Sequence, residues 1–131
     1  MNIYKSQGII EYKGEWAILK CSNSITKYYK WWVDRLEWKK SSTTLHGAHI
    51  TIVNGNFQKL SRSSLWKKYN RKKIDFTYSS RIMKNSEGYY WLNIKCPFLE
   101  KIREELGVSS TPKWPYHLTI CFIDPNSGKK V

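Results

Sequence analysis

The stretches His49-Ile50-Thr51-Ile52-Val53 and His117-Leu118-Thr119-Ile120-Cys121 decide the fold of this chain. Each contains a His-x-Thr triplet inside an alternation of polar and apolar residues. Residues i and i+2 of a β-strand point to the same face of a sheet. Each triplet therefore directs one imidazole and one hydroxyl to one face, while Ile50 and Leu118 point to the other. We expect two strands of this kind, with their polar faces turned to a common site.

The length and composition favour a single domain. The chain has 131 residues, of which 40% are hydrophobic and 15% are aromatic, enough for one core and too short for two ordinary domains. No apolar run approaches the 18 or so residues of a membrane span. The start, Met1 to Lys5, lacks the pattern of a signal peptide. We therefore expect one domain over 1–131, a cytoplasmic location and no membrane partner.

The charge of the chain favours an anionic partner. The formal net charge is +13, from 23 Lys and Arg against 10 Asp and Glu. Such an excess attracts nucleic acid, nucleotides or a membrane surface, but it is equally typical of a solvated basic surface. Cys21, Cys96 and Cys121 are odd in number and have no C-x-x-C spacing. This pattern predicts buried free thiols rather than disulfides or a zinc site.

Periodicity and turn residues predict the order of strands and helices. Strands are predicted over 8–12, 16–21, 46–53, 74–78, 80–84, 89–96 and 116–123. Helices are predicted over 24–39, over 63–69, and from Pro97 to a stop at Gly107. Within the first helix, the helical spacing of Trp32 predicts a place in the core or in the packing between the repeats.

An internal repeat organises these elements. Trp16-Ala17-Ile18-Leu19-Lys20-Cys21 is similar to Trp91-Leu92-Asn93-Ile94-Lys95-Cys96, with Trp, Lys and Cys at matching places. After each come an amphipathic helix, a polar loop and a His-x-Thr strand. The repeats span about 8–60 and 74–124. We expect an α+β fold in which two pseudo-symmetric strand–helix–strand units form a bilobal molecule, with antiparallel sheets around a central cleft and helices on the outer faces.

The paired triplets contain the groups that phosphodiester cleavage requires. His49 and His117 can act as general base and general acid, since histidine titrates near neutrality. Thr51 and Thr119 can donate hydrogen bonds to phosphate oxygens. No carboxylate cluster accompanies them, so we expect neither a metal ion nor another cofactor. Half-buried strand histidines without a catalytic role are the alternative, but that reading does not explain the repetition.

Three further residues have candidate roles. His46 and His49 have the spacing of a metal pair, but no third ligand type lies nearby, so His46 is expected to be a loop histidine. Tyr12 at the end of the first strand and Trp114 beside the second triplet are candidates for stacking on a nucleobase. Both are therefore predicted to bind substrate.

The chain resembles the 2H phosphoesterase superfamily and, within it, the phage anti-CBASS nucleases. The triplets carry the first likeness; Gly8-Ile9-Ile10-Glu11-Tyr12, Ile74-Asp75-Phe76-Thr77-Tyr78 and the stretch from Cys96 to Gly107 carry the second. The resemblance implies a bilobal 2H fold and a metal-independent phosphodiesterase. This enzyme would degrade cyclic di- and trinucleotide immune messengers, such as cyclic GMP–AMP, so that a bacteriophage evades CBASS defence in the bacterial cytoplasm.

The resemblance also implies residue roles. His49, Thr51, His117 and Thr119 match the catalytic positions of the family, and Tyr12 matches a tyrosine that contacts the base. No stretch after the second triplet strand matches the C-terminal lid of the family. The expected partner is a cyclic di- or trinucleotide, with no stable nucleic-acid partner. Two alternatives remain: an RNA 2′,3′-cyclic phosphodiesterase of the ligT type, and a sponge that binds cyclic nucleotides without cutting them.

Overall fold

The same order of elements, β-β-α-β, occurs twice along the chain. The computed structural model describes residues 2–44, 47–55 and 60–126. Its elements are β1 (Ile3–Lys13), β2 (Trp16–Lys20), α1 (Asn23–Glu37), β3 (His49–Val53), β4 (Lys73–Lys84), β5 (Tyr89–Lys95), α2 (Pro97–Glu105) and β6 (His117–Phe122). The predictions for His46, for 56–59 and for 127–131 fall outside the described residues.

All six strands join in one closed antiparallel ring, in the order β1-β2-β3-β6-β5-β4. At one seam, β1 and β4 pair continuously from Ile3 opposite Ser79 to Ile9 opposite Lys73. At the other, β3 and β6 pair at Ile50 and Leu118. Exchanging β1 with β4, β2 with β5 and β3 with β6 maps this ring onto itself. The topology is therefore pseudo-twofold, with the second seam at its centre.

The expected bilobal α+β fold is wrong. The chain forms a closed six-stranded antiparallel barrel with two short helices among its described residues. The physical reason is the length of two strands. β1 begins at Ile3 rather than Gly8, and β4 runs unbroken through Lys84 where two separate strands were predicted. The extra length pairs edges that two separate sheets would have exposed, and an unpaired edge is prone to wrong pairing.

The core lies on the face of the sheet that carries Ile50 and Leu118, both fully buried. The inward residues of both helices, including Val33 of α1 and Leu99 of α2, belong to the same apolar cluster. Each helix crosses to the other half of the molecule, since α1 contacts β6 and α2 contacts β3. The helices therefore support the two triplet strands from the apolar side, and the polar side is left for the site.

The helix predictions are partly confirmed. α1 is capped by the Ser22 hydroxyl, which accepts from the Ser24 amide, and ends at Glu37, followed by Trp38 as the C-cap with φ 55°. Pro97 occupies the first turn of α2, as predicted. The predicted helix over 63–69 is wrong, because this segment is a series of turns. Trp32 is also not in the core, since 42% of its surface is exposed. Neither helix in the described ranges is long and apolar enough to cross a membrane.

The prediction of buried free thiols is confirmed. Cys21, Cys96 and Cys121 are all buried and none forms a disulfide. Burial raises the pKa of Cys21 to about 12 and that of Cys121 to about 11. These thiols stay protonated near neutral pH and act as small apolar core residues.

Candidate functional site

The two triplets face each other across the seam between β3 and β6. Their central residues, Ile50 and Leu118, are paired, so the antiparallel register sets His49 opposite Thr119 and Thr51 opposite His117. All four side chains lie on the face away from the core and are half-buried. Residues directly opposite one another have Cβ atoms about 4.5–5.5 Å apart, and diagonal neighbours about 7–8 Å. The imidazoles, which are diagonal, therefore flank a space that a phosphate group can occupy.

Both imidazoles are oriented by the same backbone contact. Nδ1 of His49 lies 2.9 Å from the carbonyl oxygen of Gly47, and Nδ1 of His117 lies 2.8 Å from that of Pro115. Because a carbonyl oxygen only accepts, each Nδ1 must carry the proton. Each Nε2 is then an acceptor when the ring is neutral and a donor when it is charged. Each Nε2 can therefore take up or release a proton, as acid–base catalysis requires.

The segment before His49 is held by α1 and its own loop. Asn23 Oδ1 accepts from the Ala48 amide at 2.9 Å, and Thr44 Oγ1 donates to the Gly47 carbonyl at 2.7 Å. Gly47 has φ +74°, and a Cβ there would lie 3.1 Å from Asn23 Oδ1. A side chain at this position would therefore be strained and would crowd the amide that orients the strand.

Two rows of paired residues cross the polar face and pass through the triplets. Within a row, side chains on adjacent strands are neighbours. The first row is Lys73, Ile9, Lys20, His49, Thr119 and Trp91. The second row is Glu11, Ile18, Thr51, His117 and Asn93. Each row contains one histidine and one threonine, so the surroundings of the two histidines can be read directly from their rows.

A cavity of about 540 Å³ opens over the half of the site that contains His117. It includes Thr51 and Thr119, and aromatic rings form much of its wall. These rings are Trp16, Tyr89, Trp91 and Trp114, and they are accompanied by the amide side chains of Asn54, Asn85 and Asn93. Flat apolar walls with amide groups between them suit a nucleobase, which stacks on rings and offers hydrogen-bonding edges.

Trp91 and Asn93 arrange the wall next to His117. The indole Nε1 of Trp91 donates to Asn93 Oδ1 at 3.1 Å. This contact occupies the amide oxygen of Asn93, which pairs with His117 in the sheet, and leaves its NH₂ group to act as a donor. The Trp91 ring lies edge-on to His117, with centroids 6.5 Å apart. One strand therefore supplies both a stacking surface and a hydrogen-bond donor to the cavity.

Arg103 is a buried cation that also lines this cavity. It is 3% exposed. Its Nη1 donates to the Ile52 carbonyl at 2.8 Å, and its Nε donates to the Ser109 carbonyl at 2.6 Å. Burial lowers the pKa of the guanidinium, although it stays charged at neutral pH. The contacts fasten the loop that carries Trp114 to the end of β3.

The structure brings together five of the six predicted site residues. Thr51, His117, Thr119 and Trp114 line the cavity, and His49 adjoins it through the register of β3 and β6. Tyr12 is not brought to the site. It pairs with Ala17 on the apolar side of the sheet, and its ring packs against Trp66 with centroids 5.0 Å apart.

Several cavity residues were missed by sequence reasoning. Tyr89, Trp91 and Asn93 alternate along β5, and this spacing of two could have placed them on one face. Arg103 stands among the apolar positions of α2, where a cation is out of pattern. Among residues 2–44, 47–55 and 60–126, no group of three or more His, Cys, Asp or Glu side chains is arranged to hold a metal ion.

Comparisons of the chain with protein-family models, with curated proteins and with solved structures found no match.

Proposed function

We propose that this protein is a phosphodiesterase that cleaves the 3′–5′ bonds of cyclic di- and trinucleotides by acid–base catalysis. His49 and His117 are the proton-transfer groups, and Thr51 and Thr119 hold the phosphate. The observation that carries this proposal is the double correspondence at the β3–β6 seam. The triplets are paired through Ile50 and Leu118, and each imidazole has its Nδ1 on the carbonyl two residues earlier.

The reaction uses the Nε2 atom of each histidine, since each Nδ1 is held by its backbone contact. Neutral His49 takes the proton of the ribose 2′-hydroxyl, whose oxygen attacks the adjacent phosphorus. The bond from phosphorus to the 5′-oxygen breaks, and charged His117 donates its proton to that oxygen. The product is a linear nucleotide with a 2′,3′-cyclic phosphate end. Attack by water, with the histidines in exchanged roles, opens that ring and restores both protonation states.

The threonines act on the charge of the phosphate. Thr51 lies opposite His117 and Thr119 lies opposite His49, so one hydroxyl accompanies each proton-transfer group. A hydroxyl that donates to a non-bridging oxygen stabilises the charge that shifts there in the transition state. Each hydroxyl lies on a strand that a helix supports from the apolar side. The hydroxyls are therefore in position before a substrate binds.

Charge and motif support a cyclic nucleotide as substrate. The net charge of +13 attracts a small anion from solution. The aromatic cavity beside His117 offers a place for one base. The likeness of the triplets to those of the 2H phosphoesterases supports the same chemistry, although the closed barrel differs from the bilobal arrangement expected of that superfamily.

The test is incubation with a panel of substrates, with products separated by mass. The panel contains cyclic dinucleotides, a cyclic trinucleotide, an RNA with a 2′,3′-cyclic phosphate end and a 2′-deoxy cyclic dinucleotide. A chelator is present in a parallel set, and the variant His49→Ala/His117→Ala serves as control. We expect ribose cyclic nucleotides to be linearised with or without chelator, and the deoxy form to be spared.

Three outcomes would contradict the proposal. Equal turnover of the deoxy form would exclude the 2′-hydroxyl as nucleophile. Cleavage confined to the RNA end would assign the site to RNA processing. Recovery of tightly bound, intact cyclic nucleotide after long incubation would identify a sponge.

A further inference from the structure

We propose that the end of the aromatic cavity beyond Thr119 is a guanine-binding subsite, in which the Glu87 carboxylate accepts hydrogen bonds from the base. Tyr89 and Trp91 supply the surface on which the base stacks. The inference rests on the proposed function, because it names the base that accompanies the phosphate being cleaved. It makes the protein selective for cyclic nucleotides that contain guanine over those that contain adenine alone.

The subsite continues a series of cavity residues that runs along β5 and into the turn before it. These residues follow one another at a spacing of two, and they are Glu87, Tyr89, Trp91 and Asn93. Trp91 is paired with Thr119, whereas Tyr89 is paired with Phe122, further from the triplet. Outward from the phosphate site, the wall therefore presents two rings and then a carboxylate. A nucleotide presents its phosphate, the flat face of its base and the edge of that base in the same order.

The turn that carries Glu87 is fixed by its own hydrogen bonds and by the chain just after β6. Asn85 Oδ1 accepts from the Glu87 amide at 3.0 Å and from the Tyr89 amide at 3.1 Å. The Gly88 carbonyl accepts from the Ile123 amide at 2.9 Å. Gly88 has φ +100°, and a Cβ there would collide with the Ile123 carbonyl oxygen, so this close approach requires glycine. The backbone of Glu87 is therefore held in one position at the edge of the cavity.

The charged groups of the cavity lie at opposite ends of β6. Arg103 donates to the carbonyl of Ile52, which adjoins Thr51, and Lys113 precedes the start of β6. Glu87 lies by the other end of the strand. It is the one carboxylate in the lining among the described residues, and it forms no ion pair with them. Because a carboxylate beside the phosphate would repel it, this placement leaves Glu87 to contact an uncharged part of the substrate.

A carboxylate distinguishes guanine from the other bases by the donors on the base edge. Its two oxygens only accept hydrogen bonds. Guanine presents a ring N–H and an amino group side by side, so both can donate to one carboxylate, and hydrogen bonds to an ionised acceptor are strong. Adenine and cytosine each present a ring acceptor next to the amino group, and uracil presents one N–H between two carbonyl oxygens. Guanine alone therefore makes two hydrogen bonds to Glu87 without placing an acceptor against it.

The test compares the wild type with Glu87→Gln on cyclic di-GMP and cyclic di-AMP, with the linear products separated by mass. We expect the wild type to have a kcat/KM for cyclic di-GMP about ten-fold or more above that for cyclic di-AMP, and this ratio to fall about five-fold or more in the variant. Loss of one negative charge changes the attraction of both substrates alike, so the ratio isolates recognition of the base. Glu104→Gln, which neutralises an exposed carboxylate of α2 outside the cavity, is the matched control and should keep the wild-type ratio.

Equal cleavage of the two substrates by the wild type would overturn the inference, and so would an unaltered ratio in Glu87→Gln. Either result would leave the proposed function standing. If the wild type cleaves neither substrate, the proposed function fails, and the subsite is then tested by the binding of GMP and AMP, followed by tryptophan fluorescence. Tighter binding of GMP that is lost in Glu87→Gln and kept in Glu104→Gln supports the subsite, and equal binding of GMP and AMP by the wild type rejects it.

Discussion

The two halves of the ring have the same His-x-Thr triplet but different surroundings. In the second half, the residues of β5 that pair with Thr119 and His117 are Trp91 and Asn93. In the first half, the residues of β2 that pair with Thr51 and His49 are Ile18 and Lys20. One half thus surrounds its histidine with a ring and an amide, and the other with an aliphatic group and a cation.

The two helices also use different charged groups to hold the loops before the triplet strands. In α1, the buried carboxylate of Asp34 accepts from the Ser41 amide at 2.9 Å and fastens the loop before β3. In α2, the buried guanidinium of Arg103 donates to the Ser109 carbonyl and fastens the loop before β6. The comparison teaches that the repeat provides two equivalent imidazoles, whereas the different residues around them make the two ends of the site unlike.

The largest expected effect comes from removing either triplet histidine. His49→Ala and His117→Ala should each lower kcat by about 10²- to 10⁴-fold, because each removes one proton-transfer group. Initial rates with a cyclic dinucleotide give the measurement, and thermal unfolding checks the fold. Activity near the wild-type level in either variant would show that the two halves are not equivalent in catalysis.

Removing the hydroxyls should have a smaller effect. Thr51→Ala and Thr119→Ala should each lower kcat by about 10²- to 10³-fold, since each removes one donor to the transition state. Thr→Ser at the same positions keeps the hydroxyl and should restore most of the rate. A loss at one threonine alone would mean that the phosphate sits off the pseudo-twofold axis.

The aromatic flank is expected to affect binding rather than chemistry. Trp91→Leu should raise KM by about 5- to 150-fold, the equivalent of about 1–3 kcal/mol for loss of one stacked base. Ile18→Leu, at the equivalent position of the first half, is the matched control and should change KM little. Similar KM values for the two variants would remove the distinction between the two ends of the site.

The smallest expected effect concerns the stability of the first half. Burial alone would raise the pKa of Asp34, but hydrogen bonds from Lys30 and Ser41 outweigh it and hold that pKa below its ordinary value of 3.8. The carboxylate therefore stabilises the fold above about pH 4, and this contribution is lost as the pH falls through the lowered pKa.

Asp34→Asn should accordingly lower the free energy of unfolding by about 1 kcal/mol at pH 7. Its deficit relative to wild type should shrink as the pH falls through the lowered pKa of Asp34. Urea unfolding at several pH values measures this, with Glu104→Gln on the exposed side of α2 as control. A deficit that is the same at all these pH values would exclude the ionised carboxylate as the cause.

Local patterns predicted much of the scaffold. The start of α1 close to Ser24, Pro97 in the first turn of α2 and the alternation in both triplet strands all depend on neighbours within a few residues. Residue types that favour caps, turns or strands act over that range. Trp32 shows the limit, because helical spacing describes an amphipathic face and does not say what covers it.

Long-range pairing could not be predicted in the same way. The sequence repeat aligns Trp16 with Trp91, but the sheet makes Ile18 the residue equivalent to Trp91, since both pair with a triplet threonine. Tyr12 was expected at the site and lies on the opposite face of β1. The register of a strand depends on its partner strand, and the pattern of residues within one strand does not reveal it.

The sequence by itself determined that each triplet presents an imidazole and a hydroxyl on one face, because the side chains of a strand alternate with a period of two. The tertiary structure alone decided that Ile50 pairs with Leu118, that β1 closes the ring on β4, and that Trp91 and Lys20 flank opposite ends of the site. Such pairings join residues far apart in the chain, and the free energy that selects them comes from burying both halves around one core.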